Sequence, residues 1–287
     1  MTVYYVDGSV RRSVLDQMGA LAGFVMMGMP VVVVEPRGLR ADGSLDEAEA
    51  RRSDTKPRRV ADELAAIEAS SKLHPTRHVL LLGASEGGDI AAAAAARDHR
   101  VTHLILLGAG GGLSQAEELE LFVRRDPKYL GIGGDDALAR QLAAIRGRPD
   151  ALEPWLGHPF RRWSSYLDSP LGRDVQALDI PVLAVHGRLD QNVPVESSRK
   201  LSENPGSSKL TYVELAALDH RFRDSDGQSG LPCVEMAVAS WLGTTNVIAP
   251  GDASDYVDRV QRNHSEARGP LCAESTRRAA PSANPAK

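Results

Sequence analysis

The sequence predicts an α/β protein: the α/β architecture of a mostly parallel sheet flanked by helices, with a helical cap inserted midway along the chain. Short runs of Val, Leu and Ile recur without polar alternation, as strands buried on both faces require. Longer amphipathic stretches separate them, long enough to be crossover helices and too long for hairpin turns. A chain of 287 residues with 42% hydrophobic content can also cover such a sheet with a sizeable core.

Val3–Val6 and Val31–Val34 read as strands, with a helix over Ser13–Met29 between them. Lys56–Leu73 follows as a helix, with Val60, Leu64 and Ile67 on its apolar face and Pro75 as its breaker. A strand at His78–Leu82, an alanine-rich helix at Ile90–Arg97 and a strand at Val101–Leu107 come next, and the last ends in Gly108-Ala109-Gly110-Gly111-Gly112. Val182–Val185 and Leu210–Leu215 repeat the strand pattern, and Cys233–Leu242 supplies a further helix. Between Gly112 and Asp179 the alternation lapses. Phe122, Tyr129, Trp155, Phe160, Trp163 and Tyr166, close to half of the aromatic residues, fall in that stretch. The reading is therefore a core of residues 1–112 and 171–243 and a cap of residues 113–170. A C-terminal extension covers 244–287, and its Ala/Arg/Ser/Pro-rich end is expected to be disordered from about 265. Trp155, Phe160, Trp163 and Tyr166 are expected to wall an apolar substrate pocket, although rings at helical spacing also serve simply as packing.

Composition excludes several classes. A net charge of −4 gives no reason to expect nucleic acid or an anionic membrane as partner. Cys233 and Cys272 allow at most one disulfide, and neither the cysteines nor the histidines have metal-ligand spacing. Arg11 and Arg12 precede an uncharged run, Met18–Val34, that could be mistaken for an export signal or an anchor. The run has 17 residues, short of the roughly 20 that span hydrocarbon, and Pro30 divides a helix-like part from a β-branched part. A cytoplasmic protein is expected, with no membrane partner. No feature specifies an oligomeric state.

The chemistry concentrates at Gly83-Ala84-Ser85-Glu86-Gly87. This Gly-x-Ser-x-Gly string stands between an apolar strand and a helix, the context in which it forms a sharp turn presenting a nucleophilic serine. A serine hydroxyl needs a base to take its proton, and the base needs a third group to orient it. Asp190 follows the strand at Val182–Val185, 105 residues after Ser85, and His220 follows the strand at Leu210–Leu215, 30 residues later. Gly108–Gly112 follows a late strand and lacks the downstream acid of a dinucleotide site, so no cofactor is implied.

These residues resemble the α/β-hydrolase superfamily from about residue 3 to residue 243. The elbow and His186-Gly187-Arg188-Leu189-Asp190-Gln191-Asn192-Val193-Pro194 carry the likeness, and Glu35-Pro36-Arg37-Gly38 with Gly43-Ser44 is similar to a turn that follows an early strand in that superfamily. Trp163–Pro170 resembles the cap exit of esterase- and peptidase-like members. The resemblance implies Ser85 as nucleophile, Asp190 as orienting acid and His220 as base. It also implies an oxyanion hole from the backbone of Glu86 and of the turn at Gly8 and Ser9 or Val10. The partner would be a small-molecule acyl substrate, and the activity cleavage of a carboxylic ester through an acyl-enzyme. A peptidase, an acyltransferase or a non-catalytic binding protein of the same fold are the alternatives. Two departures from the family pattern stand out. Asp7-Gly8 replaces the usual His-Gly pair, which sets a carboxylate beside the expected oxyanion, and the leading antiparallel hairpin is missing.

Overall fold

The computed structural model describes residues 1–9, 18–203, 209–265, 272 and 275–279. Val10, the Arg11-Arg12 pair, the opening of the expected first helix and most of the chain beyond 265 lie outside the described residues.

The chain begins with β1 (Thr2–Val6), α1 (Met18–Met26), β2 (Val31–Val33), α2 (Glu47–Ser53), α3 (Lys56–Leu73), β3 (Val79–Ala84), α4 (Gly87–Ala95) and β4 (Val101–Leu107). The cap follows: α5 (Gln115–Arg125), a 3-10 turn (Tyr129–Gly131), α6 (Asp135–Gly147), a two-rung hairpin of β5 (Pro154–Trp155) and β6 (His158–Pro159), and α7 (Phe160–Tyr166). The chain returns to the core through α8 (Gly172–Gln176), β7 (Val182–Gly187), α9 (Val195–Glu203), β8 (Leu210–Leu215) and α10 (Leu231–Thr244), then continues into α11 (Pro250–Ser265) and β9 (Ser275–Ala279).

The sheet order is β2-β1-β3-β4-β7-β8-β9, parallel from β2 to β8, with β9 antiparallel at the far edge. Alternate strand residues point to opposite faces, and two apolar clusters result. Tyr4, Leu81, Leu104, Ala184 and Tyr212 pack under α3, α4, α8 and α9. Val3, Tyr5, Leu80, Leu82, Ile105 and Val185 pack under α1 and α10. Both faces are buried under helices, which is why the strands read as unbroken apolar runs. The cap has an apolar core of its own, formed by Leu119, Val123, Leu138, Leu142, Ile145, Phe160 and Leu167.

The chain end differs from the expected disordered tail. The polar period of α11 hides an apolar pair, Tyr256 and Val260, that closes over Ala239 of α10, and Ala253 is also buried. The segment expected to be disordered contributes β9, whose backbone pairs with β8 from Leu215↔Ser275 to Thr211↔Ala279. Hydrogen bonding of an open sheet edge needs no apolar side chains, so a polar Ser-Thr-Arg-Arg-Ala segment can serve. Cys233, buried in α10, is joined to Cys272 just ahead of β9. Among the described residues no helix is long and apolar enough to cross a membrane.

Candidate active site

Parallel strands bring their carboxyl ends to one rim, and the loops leaving β1, β3, β7 and β8 meet there. The elbow after β3 is built by close backbone approach. An added Cβ at Gly87 would lie 2.1 Å from the Val6 carbonyl oxygen, and one at Gly83 would lie 2.6 Å from the Gly87 oxygen. With both glycines in place the chain turns within one residue, and Ser85 takes φ = 52°, a left-handed conformation unusual for a serine. Hydrogen bonds from Ser85 N–H to the Leu107 carbonyl (2.8 Å) and from Gly88 N–H to the Ser85 carbonyl (2.9 Å) fix the turn at the head of α4.

His220, in the loop after β8, places Nε2 3.1 Å from Ser85 Oγ and Nδ1 2.7 Å from Asp190 Oδ2. A carboxylate only accepts hydrogen bonds, so the imidazole proton sits on Nδ1 and Nε2 is left to accept from the serine. Asp190 is fully engaged. Its Oδ1 accepts the Asn192 and Val193 N–H groups at 2.8 and 2.9 Å, and its Oδ2 also faces His186 Nε2 at 3.1 Å. Burial alone would raise its pKa, but the hydrogen bonds from His186 and His220 prevail and hold the carboxyl below the usual carboxylate range. His186 is wholly buried, and its Nδ1 accepts from the Ser198 hydroxyl at 2.7 Å. His186 stands near the end of the strand before the Asp190 loop, and nothing in the sequence pattern marks Asp190 as its partner.

The turn after β1 lies against the elbow: a Cβ at Gly8 would stand 3.1 Å from Ser85 Cβ. The Asp7 carboxylate, expected to oppose an oxyanion, is turned onto the Gly8 N–H (2.8 Å) and the Tyr5 hydroxyl (3.2 Å). Burial, with the Asp7 charge beside it, pushes the Tyr5 phenol well above its ordinary value, so that hydroxyl remains a donor. This corrects one expectation. The Gly8 N–H is occupied by the Asp7 carboxylate. Glu86, at the N-cap of α4, stands opposite.

The Glu86 side chain enters an ion-pair network that spacing in the sequence does not reveal. Oε1 accepts from Arg59 Nη1 at 2.9 Å and Oε2 from Arg162 Nη2, while Arg162 Nε lies 3.0 Å from Asp54 Oδ2. Arg162 belongs to α7 of the cap, and only 2% of its side chain is exposed. Nearby, Lys56 pairs with Asp89 at 3.2 Å, and burial, only partly offset by that lysine, pushes Asp89 up to about 6.

The expected substrate wall is not assembled. Phe160 is closed into the cap core, and Tyr166 lies in the core beneath α3 and α4. Trp155 and Trp163 pack on each other, ring centroids 4.9 Å apart, and Trp155 lines a shallow depression with Leu130, Ile132 and Ala144 that Ser85 does not share. Of the four rings, only Phe160 is a buried member of the cap core. Among the described residues no group of three or more His, Cys, Asp or Glu is placed to hold a metal ion.

No protein-family model and no curated protein matches the chain. Solved structures do. Est1E from Butyrivibrio proteoclasticus with bound ferulic acid superposes with a TM-score of 0.62 at 20% identity, covering 86% of this chain and 90% of that one. An esterase of Pyrococcus furiosus gives 0.57 at 13% identity over 85% and 82% of the two chains. The esterase RhEst1 from Rhodococcus sp. ECU1013 gives 0.53 at 19% identity over 85% and 91%. The chain has the α/β-hydrolase fold. Ser85, Asp190 and His220 stand together at the carboxyl rim of that sheet.

Proposed function

We propose that the protein is a serine hydrolase that cleaves a carboxylic ester through an acyl-enzyme. One observation carries the reading: His220 bridges the Ser85 hydroxyl at 3.1 Å and the Asp190 carboxylate at 2.7 Å on a strained elbow. Ser85 Oγ attacks the ester carbonyl carbon as His220 Nε2 takes its proton, and Asp190 stabilises the imidazolium. The carbonyl oxygen becomes an oxyanion facing the backbone N–H groups of Glu86 and Ser9. Collapse expels the alcohol, protonated by His220, and leaves the acyl group on Ser85. Water, deprotonated by His220, attacks the acyl carbon, and Ser85 departs with the proton returned to it. The partner is a small acyl compound, a class to which the ferulic acid bound to Est1E belongs. The Cys233–Cys272 bond supports an oxidising compartment, in place of the cytoplasm expected from sequence.

The test is hydrolysis of p-nitrophenyl acetate and butyrate by the wild type and by Ser85→Ala. A loss of about 10⁴-fold or more is expected in the variant, with labelling of wild-type Ser85 by a fluorophosphonate. Equal rates for the two proteins remove Ser85 from the mechanism.

A further inference from the structure

We infer that Arg59 is the positioning residue of the oxyanion hole, holding its two halves in register, and that Arg162 ties the cap to the same point. The inference rests on the ester-hydrolase reading above and goes beyond it in naming what sets the geometry of the two backbone donors.

The two donors come from unrelated parts of the chain. Glu86 N–H belongs to the elbow after β3, and Ser9 N–H to the turn after β1. Nothing in the β1–β3 ladder reaches beyond Val6↔Gly83, so their separation is not fixed by sheet register. A single guanidinium spans the gap. Arg59 Nη1 donates to Glu86 Oε1 at 2.9 Å, and Nη2 of the same group donates to the Asp7 carbonyl oxygen at 2.5 Å. Asp7 lies two residues before Ser9, and its side chain also holds the Gly8 N–H. A planar fork with fixed spacing between its nitrogens therefore sets the distance between turn and elbow, which a single ammonium could not do.

Charge supports the same role. Glu86 alone would put a nearly buried carboxylate, 8% exposed, beside a developing negative charge. Arg59 and Arg162 take one oxygen each, and Asp54 balances Arg162, so the four groups sum to zero. Arg59 leaves α3 and Arg162 leaves α7, so the elbow is held from the core and from the cap at once. If the cap helix shifts, the pull on Glu86 changes, and the cap acts on the oxyanion hole through this carboxylate. Neither arginine lies in the Ser85–His220–Asp190 chain, so both act through others.

The test measures kcat and KM for p-nitrophenyl acetate, and inhibition by phenylboronic acid, in Arg59→Met, Arg59→Lys, Arg162→Met and Glu86→Gln. Phenylboronic acid adds to Ser85 as a tetrahedral species with one oxygen in the oxyanion position, so its affinity reports the donors directly. Arg59→Met is expected to lower kcat by about 10²-fold, as loss or misplacement of one donor does, with KM within about twofold and boronate affinity falling in parallel. Arg59→Lys should recover only part, and Arg162→Met should show the same pattern with a smaller fall. A kcat and a boronate affinity both within twofold of wild type in a folded Arg59→Met protein overturn the proposal. So does a rate loss with boronate affinity unchanged. Should Arg59→Met not fold, Arg59→Lys and Glu86→Gln decide by the same two readings. Ser85→Ala separates the levels: full activity there removes the hydrolase reading and this one with it, whereas an inactive Ser85→Ala beside an unaffected Arg59→Met removes this one alone.

Discussion

The rim of the sheet and the interior of the cap are both buried, but in opposite ways. The cap core is wholly apolar, from Leu119 through Ile145 to Phe160 and Leu167. The rim encloses Lys56, Glu63, Asp89, Arg162, His186 and Asp190, all less than a tenth exposed. Apolar packing needs only volume and a helical stripe. A buried charge must be matched atom by atom or it costs several kcal/mol. The cap is thus a stability device that tolerates exchange of one hydrophobe for another of similar size, whereas the rim is specified by partners. The rim is also where a reaction creating charge could be supported.

The most severe break on the rim side is Gly87→Ala. Its Cβ would stand 2.1 Å from the Val6 oxygen and 2.6 Å from the Asp7 oxygen, both backbone atoms with no room to yield. Urea unfolding should show a loss of about 3 kcal/mol or more, together with loss of ester hydrolysis. A folded, fully active variant would mean that the elbow is not built as described.

On the cap side, Phe160→Ala should cost about 3–5 kcal/mol of stability and leave KM within about twofold, because the ring faces Leu142 and its neighbours and not Ser85. A raised KM with stability intact would restore the pocket role first expected for it and erase the contrast between the two regions.

The mildest effect concerns pH. Glu63, on α3 behind the Gly8–Ser9 turn, is 2% exposed with Oε1 unpartnered, and burial pushes it up to about 8, with the Arg59 charge opposing. The folded state keeps this proton longer than the unfolded chain does. Its contribution to stability is therefore complete below the ordinary carboxyl range near pH 4 and is lost as pH rises through about 8. Glu63→Gln should flatten the fall in Tm between pH 5 and 9 by a few degrees, while Phe160→Ala should lower Tm by the same amount at every pH. Parallel curves for wild type and Glu63→Gln would show that the rim carboxyl does not titrate as its burial demands.

The sequence shows most of the core directly. The ranges Lys56–Leu73, Val101–Leu107 and Leu210–Leu215 match the structure residue for residue, because apolar strands and an amphipathic helix bounded by prolines are local patterns. It misses α2, whose Glu47–Ser53 segment buries only Ala50 and so carries no apolar period. It misses β9 as well, since pairing at a sheet edge uses backbone and not side-chain pattern. The aromatic residues of the cap show the opposite error. Their spacing was legible, but which side of a helix faces a cleft depends on where the helix docks.

What the sequence determined by itself is the order of the elements and the chemistry available at their ends: a serine in a Gly-x-Ser-x-Gly turn, then an acid, then a histidine, each after its own strand. Tertiary structure alone decided that Arg59, Arg162 and Glu86 meet, that Asp190, His220 and Ser85 converge, and that Phe160 is closed into the cap core. The physical reason is range. Periodicity and turn chemistry act over a few residues, so a single chain displays them. Glu86 lies 27 and 76 residues from its two arginines, and they become neighbours only when the sheet closes under its helices.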